Sequence, residues 1–140
     1  MQFLTVAKAV LVVNCAFFIK PEGFPRHKVA NIPQNVWELH ESYRLVSSLF
    51  VHGDINHLVG NMSYVAQGMR TFELRHGSLT TILAVAATAA ASEVLYVLVA
   101  KVLDRLKWNR RLYRSSVIGF SGVALAMGVR LTRHLLVCIH

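Results

Sequence analysis

The sequence is poor in the residues that stabilise small secreted or metal-bound domains. Its 140 residues include 2 cysteines and 3 prolines, and 7 acidic residues stand against 15 lysines and arginines. Cys15 and Cys138 each lie in an apolar stretch without a second cysteine at ligand spacing. The sequence therefore predicts neither a disulfide framework nor a cysteine-bound zinc site. It also lacks a long polar or low-complexity tract, which excludes a largely disordered chain.

The scarcity of acidic residues leaves a formal net charge of +8. Nucleic-acid-binding domains gather such charge on one face or along one helix. Here the lysines and arginines fall in short segments between apolar runs. We interpret them as flanks of membrane segments, and we do not expect nucleic acid as a partner.

Apolar residues are in excess. They make up 54% of the chain, against about 45–50% in globular domains, and the mean hydropathy is +0.45. The runs 3–19 and 79–103 have about the length needed to cross a bilayer. The predicted fold class is an all-α, polytopic, integral membrane protein with one membrane domain, in contact with membrane lipid.

Four candidate transmembrane spans follow from the pattern: 3–19, 45–69, 79–103 and 116–129. A cleavable signal peptide is the alternative for the first, but no small-x-small cleavage site precedes Pro21. Residues 71–78 predict a short turn. The apolar restart at 135–139 is too short to cross a core of about 30 Å, so we expect truncation within a fifth span.

The motif Gly119-Phe120-Ser121-Gly122 lies near the start of the fourth candidate span. Glycine on both sides of a hydroxyl leaves room for a substrate backbone, which makes Ser121 a candidate nucleophile. The alternative is a serine that only hydrogen-bonds within or between helices. This motif alone does not decide between the two.

A second polar cluster, His-Gly-Asp-Ile-Asn-His-Leu-Val-Gly-Asn, contains His52, His57 and Asn61. His57 and Asn61 are four residues apart, so they share one helix face and could aim two N–H donors at an oxyanion. Two alternatives remain open: a polar seam between helices, and a metal site formed by His52, Asp54 and His57. The third candidate span also contains a carboxylate, Glu93, which requires a partner or a water cavity.

The order of these pieces resembles the rhomboid family of intramembrane serine proteases, from about Trp37 to Val129. The matching residues are Tyr43-Arg44, Phe50-Val51-His52, His57-Leu58-x-x-Asn61-Met62, Glu73-x-Arg75-x-Gly77-Ser78 and Gly119-Phe120-Ser121-Gly122-Val123, with Ala126 beyond. The resemblance implies a rhomboid-like helical bundle with about four of six core helices present.

The resemblance also implies roles for individual residues. Ser121 would be the nucleophile, supported by Gly119, Phe120 and Gly122, and His57 and Asn61 would help to form the oxyanion hole. His52 would be structural. Hydrogen bonds of Arg44 and Glu73 would hold the first loop and the end of the second helix.

Transmembrane proteins would be the substrates, without a cofactor. The Glu-x-Arg-x-Gly-Ser turn is similar to the endoplasmic-reticulum branch of the family. Rhomboids take their general base from a histidine on a later helix, and His134 and His140 lie on the wrong segments to replace it. The expected function is therefore a serine endopeptidase whose base is missing from this chain, and the alternative is an inactive pseudoprotease that binds membrane clients.

Overall fold

The computed structural model describes residues 5–19 and 25–126, and this part of the chain is mostly helical. Its helices are α1 (Val6–Ile19), α2 (Arg26–Val29), α3 (Pro33–Glu38), α4 (Arg44–Ser47), α5 (Ile55–Tyr64), α6 (Arg70–His76), α7 (Ser78–Arg105) and α8 (Arg110–Arg114). Residues 121–126 are also helical. Strand pairing within the described ranges is limited to one antiparallel bridge, between Asn31 and Val117.

The segment predicted as one helix over 45–69 is divided. After α4, a 3-10 turn covers Ser48–Phe50, and residues 51–54 are non-helical before α5 begins. A π-helical turn, Val65–Met69, then joins α5 to α6. Its end residues are fully buried and the turn packs against α1, so tertiary packing accompanies the irregular hydrogen bonding.

The predicted turn at 71–78 is wrong, because α6 continues to His76 and the chain reverses only at Gly77. Gly77 has φ of 80°, a conformation that favours glycine. The predicted span at 116–129 also begins differently: residues 116–120 are non-helical and the described helix starts at Ser121. Residues 127–129, the restart at 135–139 and Cys138 lie outside the described ranges.

Helix α7 is long and apolar enough to cross a membrane, with a mean hydropathy of 2.1 over its best window. Only 17% of that window is buried inside the protein. Many of its exposed side chains are large aliphatic ones, such as Leu83 and Leu95. This composition suits a helix whose outer face contacts lipid.

The main apolar core lies between α1, α5, the π turn, α7 and the segment that carries Ser121. Phe120 and Val123 belong to this core, and both are nearly inaccessible to solvent. Their neighbours in the cluster are Ala7, Leu49, Leu58, Met62, Val65, Met69, Ala89 and Ala124. Packing of Phe120 and Val123 therefore fixes the serine motif against the rest of the bundle.

Candidate active site

The start of α5 positions two of the predicted site residues. Asp54 caps the helix: its carboxylate accepts a hydrogen bond of 2.9 Å from the backbone N–H of His57. The helix then places Asn61 one turn after His57 on the same face. Asn61 is 6% exposed, and its Nδ2 has no hydrogen-bond partner among the described residues. The site thus contains a buried amide donor that is free to bind a ligand.

The orientation of the His57 ring is set by the turn before α5. The backbone N–H of Gly53 donates to Nδ1 of His57 at 3.4 Å. Because Nδ1 accepts this bond, the neutral ring carries its proton on Nε2. His57 therefore presents Nε2–H as a donor on the side away from Gly53.

The segment that carries Ser121 is held by backbone hydrogen bonds. Asn31 and Val117 exchange two of them, at 3.0 and 2.9 Å. The N–H of Gly119 donates to the carbonyl of Ser48 at 2.8 Å. The exposed Ser121 then begins the helical residues 121–126, so its own N–H has no acceptor within that helix.

Gly119 brings the two clusters together. Its φ is +102°, and a β-carbon built on it would lie 2.7 Å from both Cε1 and Nε2 of His57. The same position is 3.2 Å from Nδ2 of Asn61. The structure therefore places both candidate donors against the α-carbon of Gly119, two residues before Ser121. A larger residue could not occupy this position without displacing them.

The other two residues of the motif contact different neighbours. Phe120 is 3% exposed and lies in the apolar core. A β-carbon on Gly122 would lie 3.0 Å from both Cβ and Oγ of Ser92 on α7. Gly122 thus permits close approach of the serine-bearing helix to α7.

His52 packs against His57. It is buried, and the two ring centroids are 5.2 Å apart with planes inclined at 66°. Neither ring nitrogen of His52 bonds to another described residue within the geometric limits for a hydrogen bond. As for the alternative metal site, Asp54 uses its carboxylate as the α5 cap, and the described ranges contain no cluster of three or more side chains suited to a metal.

Arg44 is the first residue of α4 and lies away from the serine motif in sequence. It is buried and donates to the carbonyls of His27 and Ala30, at 2.9 and 3.0 Å. It also forms an ion pair of 2.6 Å with Glu41. The hydrogen bonds from Arg44 and then from Asn35 hold the pKa of Glu41 below its usual value. Arg44 therefore ties the chain from α2 to the start of α4.

Glu73 has its contacts at the start of α1. Its carboxylate accepts from the N–H groups of Val6 and Ala7, at 2.9 and 3.3 Å, and from the hydroxyl of Ser78 at 2.7 Å. The first-turn N–H groups of α1 are among those that a helix cannot satisfy internally. Glu73 therefore joins the beginnings of α1 and α7.

Sequence reasoning missed four residues that shape this site: Gly53, Asn31, Ser48 and Ser92. Each of them contacts another residue of this region. Only the contact of Gly53 is local in sequence, because its partner His57 lies four positions later in the chain. The pairing of Asn31 with Val117 joins positions far apart in the chain. No local pattern signals such a contact, whereas the glycine before a capped helix could have been noticed.

Comparison with known families identifies a domain family. The sequence model described as the Rhomboid domain matches residues 39–137. This range includes His52, His57, Asn61 and the serine motif, and it begins after α3. No curated protein and no solved structure gives a significant match to the chain.

Proposed function

The chain belongs to the rhomboid family, and from this membership we propose that it is an intramembrane serine endopeptidase with Ser121 as nucleophile. Members of the family are generally serine intramembrane proteases that act on transmembrane substrates. The observation that carries the proposal is the contact of His57 and Asn61 with Gly119. It links the predicted oxyanion donors to the predicted nucleophile through two residues of backbone.

In the proposed reaction, the Ser121 hydroxyl attacks a peptide carbonyl and the negative charge develops on the carbonyl oxygen. Nε2–H of His57 and Nδ2–H of Asn61 are the side-chain donors for that oxygen, and the N–H of Ser121 is a backbone donor. One such donor contributes about 10²–10³ in rate. The unpaired Nδ2 of Asn61 suits this role, because it has no other bond within the described residues to give up.

The proton of Ser121 must pass to a general base and then to the leaving amine. His57 accepts the Gly53 N–H at Nδ1 and presents a proton at Nε2, so it suits the donor role and not that of a base. We propose that the base is a group outside residues 5–126. Water would then hydrolyse the acyl-enzyme ester and regenerate the Ser121 hydroxyl.

Transmembrane proteins are the proposed substrates of this chain in particular, and a multi-pass membrane topology is part of the proposal. The resemblance of residues 73–78 to the endoplasmic-reticulum branch favours that membrane. Microscopy of the tagged protein with an endoplasmic-reticulum marker tests the location. A plasma-membrane or mitochondrial signal would contradict it.

Labelling with a fluorophosphonate probe tests the nucleophile. The product of the complete gene in its native membrane is expected to be labelled, and Ser121→Ala is expected to abolish the label. Ser116→Ala is the matched control, because Ser116 is an exposed serine on the same segment and is expected to leave labelling unchanged. Labelling that persists in Ser121→Ala would refute the assignment. A folded wild-type protein without label, which still binds membrane clients, would favour the pseudoprotease.

A further inference from the structure

A buried carboxylate on α7 takes no part in the proposed chemistry. Glu93 is 6% exposed and lies within the apolar helix. Its Oε2 accepts hydrogen bonds from Nδ2 of Asn31 at 2.6 Å and from Oγ of Ser48 at 3.2 Å. Acidic residues inside membrane helices are costly, and those that occur are usually functional.

The two donors to Glu93 share a second property: each holds the main chain just before Ser121. Asn31 forms the two backbone hydrogen bonds with Val117. Ser48 accepts the N–H of Gly119 at 2.8 Å with its carbonyl. One carboxylate oxygen therefore connects, through two residues, to two points on the segment 117–119.

This segment lies against the proposed oxyanion donors. Gly119 lies against the His57 ring and the Asn61 amide, with less space than one methyl group would need. A small shift of the segment would therefore change the distance between Ser121 and both donors. The neighbour of Glu93, Ser92, also contacts this region, through Gly122.

We propose that Glu93 is a positioning residue, which fixes the segment 117–119 by holding the side chains of Asn31 and Ser48. It acts through these two residues and does not touch the substrate. Its effect on catalysis rests on the proposed function, whereas its effect on the segment does not. Glutamine keeps a carbonyl oxygen at the same place and can accept either bond, while leucine has a similar size and no acceptor.

Hydrogen exchange of backbone amides in the complete protein, in lipid nanodiscs, reports directly on how firmly the backbone hydrogen bonds of the segment are held. In Glu93→Leu, the amides of Val117 and Gly119 are expected to exchange about 10-fold faster or more, because the bonds that hold their partners are lost. In Glu93→Gln, the rates are expected to stay near those of the wild type. Rescue by glutamine separates a hydrogen-bonding role from a packing role.

Glu73→Leu is the matched control, since Glu73 is also a buried carboxylate with backbone and hydroxyl donors. It is expected to accelerate exchange at Val6 and Ala7 and to leave Val117 and Gly119 unchanged. Ser48→Ala is a milder variant in case Glu93→Leu does not fold. It removes one donor to Glu93 but keeps the carbonyl that binds Gly119, and faster exchange at Gly119 is expected.

The inference is overturned if Val117 and Gly119 are unaffected in Glu93→Leu, or in Ser48→Ala where the first variant does not fold. It is also overturned if exchange rises equally at all amides, or if glutamine behaves as leucine does. Fluorophosphonate labelling of Ser121 provides the second measurement, with slower labelling in Glu93→Leu and recovery in Glu93→Gln. An unlabelled wild-type protein would contradict the proposed function, while the exchange data would still decide the role of Glu93.

Discussion

Replacement of Gly119 by alanine inserts one methyl group between the serine turn and both proposed oxyanion donors. The added carbon would lie 2.7 Å from Cε1 and Nε2 of His57 and 3.2 Å from Nδ2 of Asn61. The first distance is far shorter than the roughly 3.5–4.0 Å at which nonbonded carbon atoms pack. The His57 ring must therefore move, or the segment that leads to Ser121 must withdraw.

Two costs follow from this geometry. The backbone cost arises because φ of Gly119 is +102°, a region that other residues rarely adopt, and it amounts to about 1–3 kcal/mol of stability. The catalytic cost arises because displacement of one oxyanion donor lowers the rate by about 10²–10³-fold. Since both donors touch the same position, we expect at least the loss that corresponds to one of them.

The assay is the second-order rate of fluorophosphonate labelling at Ser121, measured together with thermal unfolding of the same preparation. Gly60→Ala is the control, because a β-carbon at Gly60, on α5, would meet nothing within 4 Å. Alanine there is expected to preserve labelling and to stabilise the helix by up to about 1 kcal/mol. If folded Gly119→Ala is labelled as fast as the wild type, the assignment of His57 and Asn61 as oxyanion donors is wrong.

Two further predictions concern the packing of the serine-bearing helix and the loop held by Arg44. Gly122→Ala is expected to lower the free energy of unfolding by about 1–3 kcal/mol, because its β-carbon would lie 3.0 Å from Ser92. Ser92→Gly should relieve that contact, and strictly additive effects in a double-mutant cycle of thermal unfolding would contradict the explanation. The pKa of Glu41 is lowered from 4.5 by hydrogen bonds from Arg44 and then Asn35. The ionised carboxylate therefore stabilises the folded state fully above the unfolded-state pKa of Glu41. This stabilisation is lost as the pH falls through the lower, folded-state pKa. Pepsin cleavage within residues 39–43, divided at each pH by the cleavage rate of the same unfolded peptide, should accelerate over that pH range in the wild type, whereas the same acid dependence in Glu41→Gln would refute the assignment.

Local sequence patterns were sufficient for the parts of the molecule that depend on local physics. The apolar composition of 79–103 predicted the long helix α7, which runs from Ser78 to Arg105. The spacing of His57 and Asn61 placed them on one face of α5, because the helical repeat alone determines that relation. The glycines around Ser121 predicted room for a substrate backbone, which stays a prediction, and the structure shows Gly119 and Gly122 close to side chains on α5 and α7.

Irregular backbone was harder to predict. The composition of 45–69 suggested one helix, yet the chain leaves the helix at residues 51–54 and includes a π turn later. Helix propensity could not reveal this, since the propensity of these residues is overridden by the Asp54 cap and by packing of Val65 and Met69. The helix at Arg70–His76 was missed because its polar residues resemble a turn when their tertiary partners are unknown.

The sequence by itself determined that this chain is apolar enough for a membrane, and it determined which residue types could form a nucleophile and two donors. The tertiary structure alone decided how they meet: Gly119 against His57 and Asn61, the Gly53 N–H on the His57 ring, and Asn31 and Ser48 on Glu93. The physical reason is that helix faces repeat with a local period. Contacts between distant segments depend instead on the packing of the whole bundle, which determines the hydrogen-bond partner of each buried N–H group and carboxylate.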